Sequence, residues 1–152
     1  MEELFTLLKE LGYTIGSCES MTAGLFASTL ASMPGASKVL RGAIVTYQTA
    51  VKTDLVKVDT DVIKRYGVVS EETALQMAVK ARVLLGCDLC VSVSGNAGPD
   101  VLEGKPAGMV CGAIADGDRA VAFTLQMHGS RNEIRMKCVE EMAEQVKKFL
   151  QK

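Results

Sequence analysis

The sequence has no tryptophan, and aromatic residues make up only 5% of its 152 positions. Platforms that stack single-stranded nucleic acid need aromatic faces, so that class of partner is disfavoured. Clustered positive charge is missing too: 17 Lys and Arg stand against 18 Asp and Glu, a net charge of −1. Binding to duplex nucleic acid depends on such clusters, and none is expected here. No apolar run approaches the ~20 residues of a membrane-crossing helix. The first residues, Met1-Glu2-Glu3-Leu4, are acidic where a secretory leader is basic. A cytoplasmic protein with no membrane partner is the expectation. Histidine is nearly absent, with His128 alone. Zinc therefore lacks ligands, and neither a metal nor a cofactor is expected. The five cysteines (18, 87, 90, 111 and 138) are an odd set in apolar segments and read as reduced core thiols. Cys87 and Cys90 fall at the start of a strand, where residues three apart point to opposite faces, so their sulfurs should diverge.

What is present is enough apolar residue, 48%, to fold one domain over 1–152 without disulfides or metal. Leu4, Leu7, Leu8 and Leu11 share one face of a first helix that Gly12 ends. A short alternating strand is expected over 13–18, and a small-residue helix over 25–31. A turn at 33–37 leads to an apolar strand over 39–47, with Arg41 at an edge or mouth. Helical spacing follows at Val51, Leu55 and Val56. A short helix capped at Asp59 or Thr60 runs to Tyr66, and a longer one opens at Ser70 and stops at Gly86. Strands are expected over 88–94, 109–115 and 119–127, the last two joined at Asp116-Gly117-Asp118. The stretch 101–107 reads as exposed. Ser130 caps a final helix that carries Ile134, Cys138, Met142 and Val146 inward. This order predicts an α/β fold, a three-layer α/β/α sandwich around a mixed, mainly parallel sheet.

In such sheets ligands gather at the carboxyl ends of the parallel strands. Three loops should meet there, 19–24, 46–52 and 95–100. They bring Ser20, Thr22 and Gly24, then Thr46, Tyr47 and Lys52, then Gly95, Asn96 and Gly98. The strand-to-helix junction at Ser20 should leave backbone N–H groups free, with a helix dipole behind them, for an anion or a developing oxyanion. Ser20 at that junction is either a helix cap or a nucleophile. Without a usable histidine, the base available to it is Lys52, whose proton affinity burial or a nearby cation such as Arg131 would have to lower. Tyr47 can relay the proton or position the lysine. Arg131 and Arg135 lie near a helix start, against the dipole preference, which favours an anionic ligand. The plainer alternatives stay open: Lys52 as an exposed helix residue, Tyr47 as a rim residue, the arginines as solvated charges.

The segments holding these residues resemble one family in order and spacing. Glu19-Ser20-Met21-Thr22-Ala23-Gly24 is similar to the E-S-C-T-G-G motif of the CinA C-terminal family. Val45-Thr46-Tyr47 with Lys52 is similar to its V-T-Y-S-N-E-A-K, and Gly67-Val68-Val69-Ser70-Glu71 to its G-A-V-S-E. The segment 95–100 is similar to G-I-A-G-P-D, Lys105-Pro106-Ala107-Gly108 to K-P-V-G, and Gly129-Ser130-Arg131 to G-D-R. The resemblance implies hydrolysis of the carboxamide of nicotinamide mononucleotide, in pyridine-nucleotide recycling. Ser20 would be the nucleophile, Lys52 its base and Tyr47 an assistant. Thr22, Gly24 and the 95–98 loop would line the substrate pocket, and Arg131 would pair with the phosphate. A homodimer or larger assembly is also implied.

The chain departs from the family pattern at Met21, Ala23, Thr49, Ala50, Asn96, Met109 and Ser130, and the loop after Asp100 is shortened. These changes leave two other readings: a relative that binds a nucleotide without turning it over, and a serine–lysine hydrolase of a different small amide.

Overall fold

The computed structural model describes all residues, 1–152. Helix α1 (Glu2–Leu11) ends at Gly12, which takes the left-handed conformation (φ 69°) and donates back to the helix. Leu4 and Leu8 of α1 are fully buried, while Leu11, in its last turn, is exposed. Strand β1 (Ile15–Glu19) leads into α2 (Leu25–Ala31). A 3-10 turn, Ala36–Lys38, precedes β2 (Leu40–Val45). Three helices follow: α3 (Thr49–Asp54), α4 (Thr60–Tyr66) and α5 (Glu71–Leu85). Strands β3 (Leu89–Gly95), β4 (Met109–Ala115) and β5 (Ala120–Gln126) then lead to α6 (Arg131–Leu150). The caps fall where the sequence puts them. Asp59 accepts from Asp61 N and Ser70 from Thr73 N, and Ser130 forms a reciprocal capping box with Glu133.

The five strands form one sheet in the order β2-β1-β3-β4-β5. β1 pairs in parallel with β2 and β3, whereas β3–β4 and β4–β5 are antiparallel. Two of the four pairings are thus parallel, although only β4 runs against the other strands. The α/β architecture is the expected one. Helices α1, α2 and α6 cover one face, closing a core of Leu4, Leu8, Phe26, Ile134, Met142 and Val146 over Ile15, Val91 and Val93. On the other face Met77, Ala78 and Ala81 of α5 lie over Cys18, Cys90, Cys111 and Ala113.

Two expectations fail here. β1 is not alternating: all five of its residues are buried, because it is a central strand covered on both faces. It also starts later than expected, leaving Tyr13 exposed. The sulfurs of Cys87 and Cys90 do not diverge. Cys87 precedes β3, so strand alternation does not govern it, and its Sγ fills the slot beside Gly16, where a Cβ would lie 2.9 Å away. Gly16 is the β1 partner of Cys90. Both residues pack in the same cluster beneath α5, Cys87 Sγ donating to the Arg82 carbonyl at 3.8 Å and Cys90 Sγ to that of Val91 at 3.9 Å, and the neighbouring Cys87 thiol together with burial holds Cys90 up. All five cysteines are buried and free. Burial holds Cys18 up at about 11 and Cys138 at about 12, so both stay protonated.

β3 carries the glycine-rich loop, and its seat depends on Gly112 of β4, the partner of Val93 and Phe123. A Cβ at Gly112 would stand 2.2 Å from Phe123 Cζ and 2.8 Å from the Ser92 carbonyl oxygen. The carbonyl cannot move without breaking the sheet. Gly112→Ala should therefore lower stability by about 2–3 kcal/mol, read as an earlier urea midpoint at unchanged slope.

Candidate functional site

β1 ends at Glu19, whose carboxylate is fully buried. It accepts from Ser17 Oγ and Thr22 Oγ1 (both 2.7 Å), Phe26 N (2.9 Å) and Ala27 N (3.2 Å). The free N–H groups expected at the start of α2 are therefore occupied by the chain's own carboxylate. The helix end of the expected anion site is thus filled from within, while the Met21 N–H, next to Ser20, donates to nothing in the chain. Thr22, bonded to Glu19, and Gly24, the left-handed residue that starts α2 (φ 92°), belong to this clamp and do not line the cleft. Arg135 is also structural. Its Nε donates to the Met21 carbonyl at 2.9 Å and its NH2 to that of Thr22 at 3.1 Å, so it braces the loop from α6.

The next residue points the other way, as strand geometry requires. Ser20 N donates to the Val93 carbonyl at 3.1 Å, and Thr46 N to that of Glu19 at 2.8 Å, continuing the β1–β3 and β1–β2 ladders. Thr46, Ser20 and Ser94 therefore form a row at the carboxyl ends of the three parallel strands. Ser20 and Ser94 line a cleft of about 430 Å³ together with Lys52, Asn96, Arg131 and Leu102. Sequence reasoning did not single out Ser94, although its place just before Gly95 on β3 is its signal.

Lys52 is only 2% exposed. Its Nζ lies 3.1 Å from Ser20 Oγ and donates to the Thr46 carbonyl oxygen at 2.6 Å. Thr46 thus serves through its backbone, from behind the cleft; its side chain faces Cys18 Sγ at 3.8 Å. Burial pushes the Lys52 amine below the ordinary lysine value, while Cys18 and Glu103 push it up. Desolvation does the lowering, not the cation offered by Arg131. In the neutral form, Nζ can donate to Thr46 and turn its lone pair toward Ser20 Oγ, the arrangement that proton abstraction requires.

Arg131 lines the cleft, its NH1 donating to the Gly98 carbonyl at 2.7 Å and its NH2 to Tyr47 Oη at 2.6 Å. Three of its five N–H donors remain for a ligand. Tyr47, half exposed, holds Arg131 and makes no hydrogen bond to Ser20 or Lys52. Gly98 lies behind the cleft and accepts from Arg131, while Gly95 and Asn96 line it. Asn96 also stitches its own loop, with Oδ1 accepting from Gly98 N at 2.9 Å and Nδ2 donating to the Asp100 carbonyl at 2.6 Å. Ala23, where the family has glycine, sits in the left-handed region at φ 50°.

The fold is an α/β domain whose cleft holds a buried amine against a serine hydroxyl. A family model of the CinA C-terminal domain matches residues 1–150, and the chain belongs to that family. It is 41% identical over 92% of its length to a competence-damage inducible protein of Shouchella clausii, and 39% identical over 99% to one from Listeria welshimeri. It covers 34% and 36% of those two proteins, so the chain spans about a third of the curated relatives it matches. Among solved structures, competence/damage inducible protein CihA from Agrobacterium tumefaciens superposes with a TM-score of 0.91 at 32% identity, covering 95% of this chain and 90% of that one. The competence damage-inducible protein A of Klebsiella pneumoniae gives 0.93 at 25% identity, covering 97% and 95%.

Two outcomes follow from this geometry. Glu19→Ala strands two buried hydroxyls and two N–H groups, and should cost roughly 3–5 kcal/mol in urea unfolding, with Glu19→Gln costing less. Because folding depresses Lys52, the unfolded chain holds that proton longer. Stability should then rise with pH from the lowered folded value toward the unfolded ~10.4. Subtracting the Lys52→Met curve, measured over the same pH range, should leave that rise as the difference.

Proposed function

We propose that this chain hydrolyses the carboxamide of nicotinamide mononucleotide, giving nicotinic acid mononucleotide and ammonia through a serine acyl-enzyme. The observation that carries the reading is the buried Lys52 amine 3.1 Å from Ser20 Oγ, with its burial lowering its hold on a proton. Neutral Lys52 takes the Ser20 proton as Oγ attacks the amide carbon. The Met21 backbone N–H, which donates to nothing within the chain, is available to the oxyanion that forms. The tetrahedral intermediate collapses, the C–N bond breaks, and Lys52 returns the proton to the departing ammonia. Water then attacks the ester, with Lys52 again the base, and releases the carboxylate and free Ser20. Arg131 has donors left for the substrate phosphate, and Tyr47 and Gly98 hold it in place.

Two observations favour the second reading, a nucleotide-binding relative without turnover. Tyr47 is bonded to Arg131 and not to the Ser20–Lys52 pair. The turn before Lys52 also carries Thr49 and Ala50 in place of the family's amide and carboxylate.

Ammonia release from nicotinamide mononucleotide separates the readings. Wild type should release it, and Ser20→Ala and Lys52→Ala should each lose at least about 10³-fold in kcat. The rate should climb with pH as Lys52 sheds its proton. A folded wild-type protein that binds the nucleotide and releases no ammonia overturns hydrolysis of this substrate.

A further inference from the structure

The cleft draws its residues from both layers of the fold, and this fixes which way a substrate lies in it. Ser20 stands two residues after Cys18 and shares its face of the sheet, the one covered by α5. Lys52 belongs to that face as well, since Val56 and Val58, just beyond α3, pack with Met77 and Ala81 of α5. Arg131 opens α6, in the opposite layer, and is held there by the Gly98 carbonyl and Tyr47. A substrate anchored at Arg131 by its anionic end therefore extends from the α6 side toward the α5 side. When Ser20 attacks the carbonyl carbon, the leaving nitrogen has to face Lys52, the group that hands it a proton. That nitrogen points away from Arg131.

On the α5 side the cleft is lined by two apolar side chains, Val68 and Leu102. Val68 lies in the turn that feeds α5 and packs on the cluster beneath it. Leu102 lies in the shortened segment after Asp100, where its N–H donates to the Lys105 carbonyl at 3.3 Å and its carbonyl accepts from Lys105 N at 2.8 Å. Glu103 and Gly104 make the whole reversal between them, both at positive φ (54° and 70°), so the segment has no slack with which to move Leu102 aside. The Glu103 carboxylate then ties this reversal to the turn opposite. Its Oε2 accepts from Val68 N at 2.9 Å and its Oε1 from Val69 N at 3.0 Å, while Lys105 Nζ donates to the Tyr66 carbonyl at 2.9 Å. Gly67 allows the approach, since a Cβ there would lie 2.6 Å from Oε2. Leu102 and Val68 are thus pinned to each other through backbone atoms.

We propose that Leu102 is a specificity-determining residue: with Val68 it closes the cleft beyond the leaving nitrogen, and so confines the site to unsubstituted carboxamides, whose nitrogen leaves as ammonia. The proposal rests on the reading of Ser20 as nucleophile and Lys52 as base. An alkyl group or a further amino-acid residue on the nitrogen runs into two branched side chains that cannot part without breaking the Glu103 tie. Apolar carbon also gives a peptide continuation no partner, so its N–H and carbonyl would be buried unpaired. One carbon too many against an apolar wall costs a factor of about 10–200.

Binding to the Ser20→Ala protein tests this without turnover, using nicotinamide mononucleotide and its N-ethyl carboxamide analogue as ligands. By titration calorimetry the N-ethyl analogue should bind at least about tenfold more weakly. Adding Leu102→Ala should recover most of that difference and leave the affinity for nicotinamide mononucleotide little changed. Val68→Ala should act in the same direction. A general loosening of the cleft would instead weaken both ligands alike. Equal binding of the two ligands with Leu102 in place, or a penalty on the N-ethyl group that survives both substitutions, overturns the proposal. Ammonia release by the protein with Ser20 intact judges the hydrolytic reading separately. If release is absent while Leu102→Ala restores binding of the N-ethyl analogue, hydrolysis fails and the role of the wall stands. A protein that binds neither nucleotide overturns both.

Discussion

A carboxylate buried without a cation holds this structure's chemistry in place. Glu19 is fully buried and takes part in no salt bridge. Burying an isolated charge is prohibitive unless its oxygens are bonded, and here two hydroxyls and two N–H groups at the start of α2 bond it. That tie welds the end of β1 to the helix that follows. It also sets the direction of the next side chain, because Glu19 points into the α1–α2–α6 layer and alternation sends Ser20 to the opposite face. Arg135 braces the two following carbonyls from α6. A loop held from behind by a buried carboxylate and a half-buried arginine can tolerate Ala23 in a backbone region that glycine prefers.

The amine opposite Ser20 obeys the reverse logic. A lysine paired with a carboxylate is held protonated and is of no use as a base at neutral pH. Lys52 instead meets neutral oxygens, Ser20 Oγ and the Thr46 carbonyl, at a depth where burial disfavours its charge. It sits on α3, a six-residue helix whose N-cap, Gln48, makes no side-chain hydrogen bond. So short a helix has little stability of its own. What fixes it is the buried lysine, together with Val56 and Val58 packed just beyond its end. The element that presents the base is ordered partly by presenting it.

Local chemistry was legible in the sequence wherever it acts locally. Ser70, Ser130 and Asp59 cap the helices that follow them, and Gly12 and Gly86 end the helices before them, because caps involve residues a few positions apart. The meeting of Ser20 with Lys52 could be anticipated from the rule that ligand loops gather at strand carboxyl ends. What stayed hidden was the pairing of polar atoms distant in the chain. Arg135 looks like a cation waiting for an anion, since nothing local shows that its acceptors are carbonyls more than a hundred residues earlier. Glu19 looks like an ordinary strand end, because the N–H groups it satisfies exist only once α2 has formed. That Cys87 packs in the same cluster as Cys90 depends on a gap left by Gly16 on another strand, which no periodicity within one strand can reveal.

The departures from the family pattern take on a different weight once placed. Ser130 in place of aspartate is still a helix cap, and Arg131 is oriented without it, by the Gly98 carbonyl and Tyr47. Asn96 in place of isoleucine replaces apolar packing with two hydrogen bonds inside its own loop. Met21 is 4% exposed and joins the main core, so most of its added bulk goes into the interior beside Ser20. Met21 and Asn96 nonetheless line the cleft at which Ser20, Lys52 and Arg131 meet, so these two changes also reach its surface. The shortened loop is different in kind. It brings Leu102 to the wall of the cleft and fastens it through Glu103 to the turn that carries Val68. Where the chain departs from the family in backbone length, the change thus falls on the wall of the cleft, where Leu102 and Val68 meet, and leaves Ser20 and Lys52 in contact.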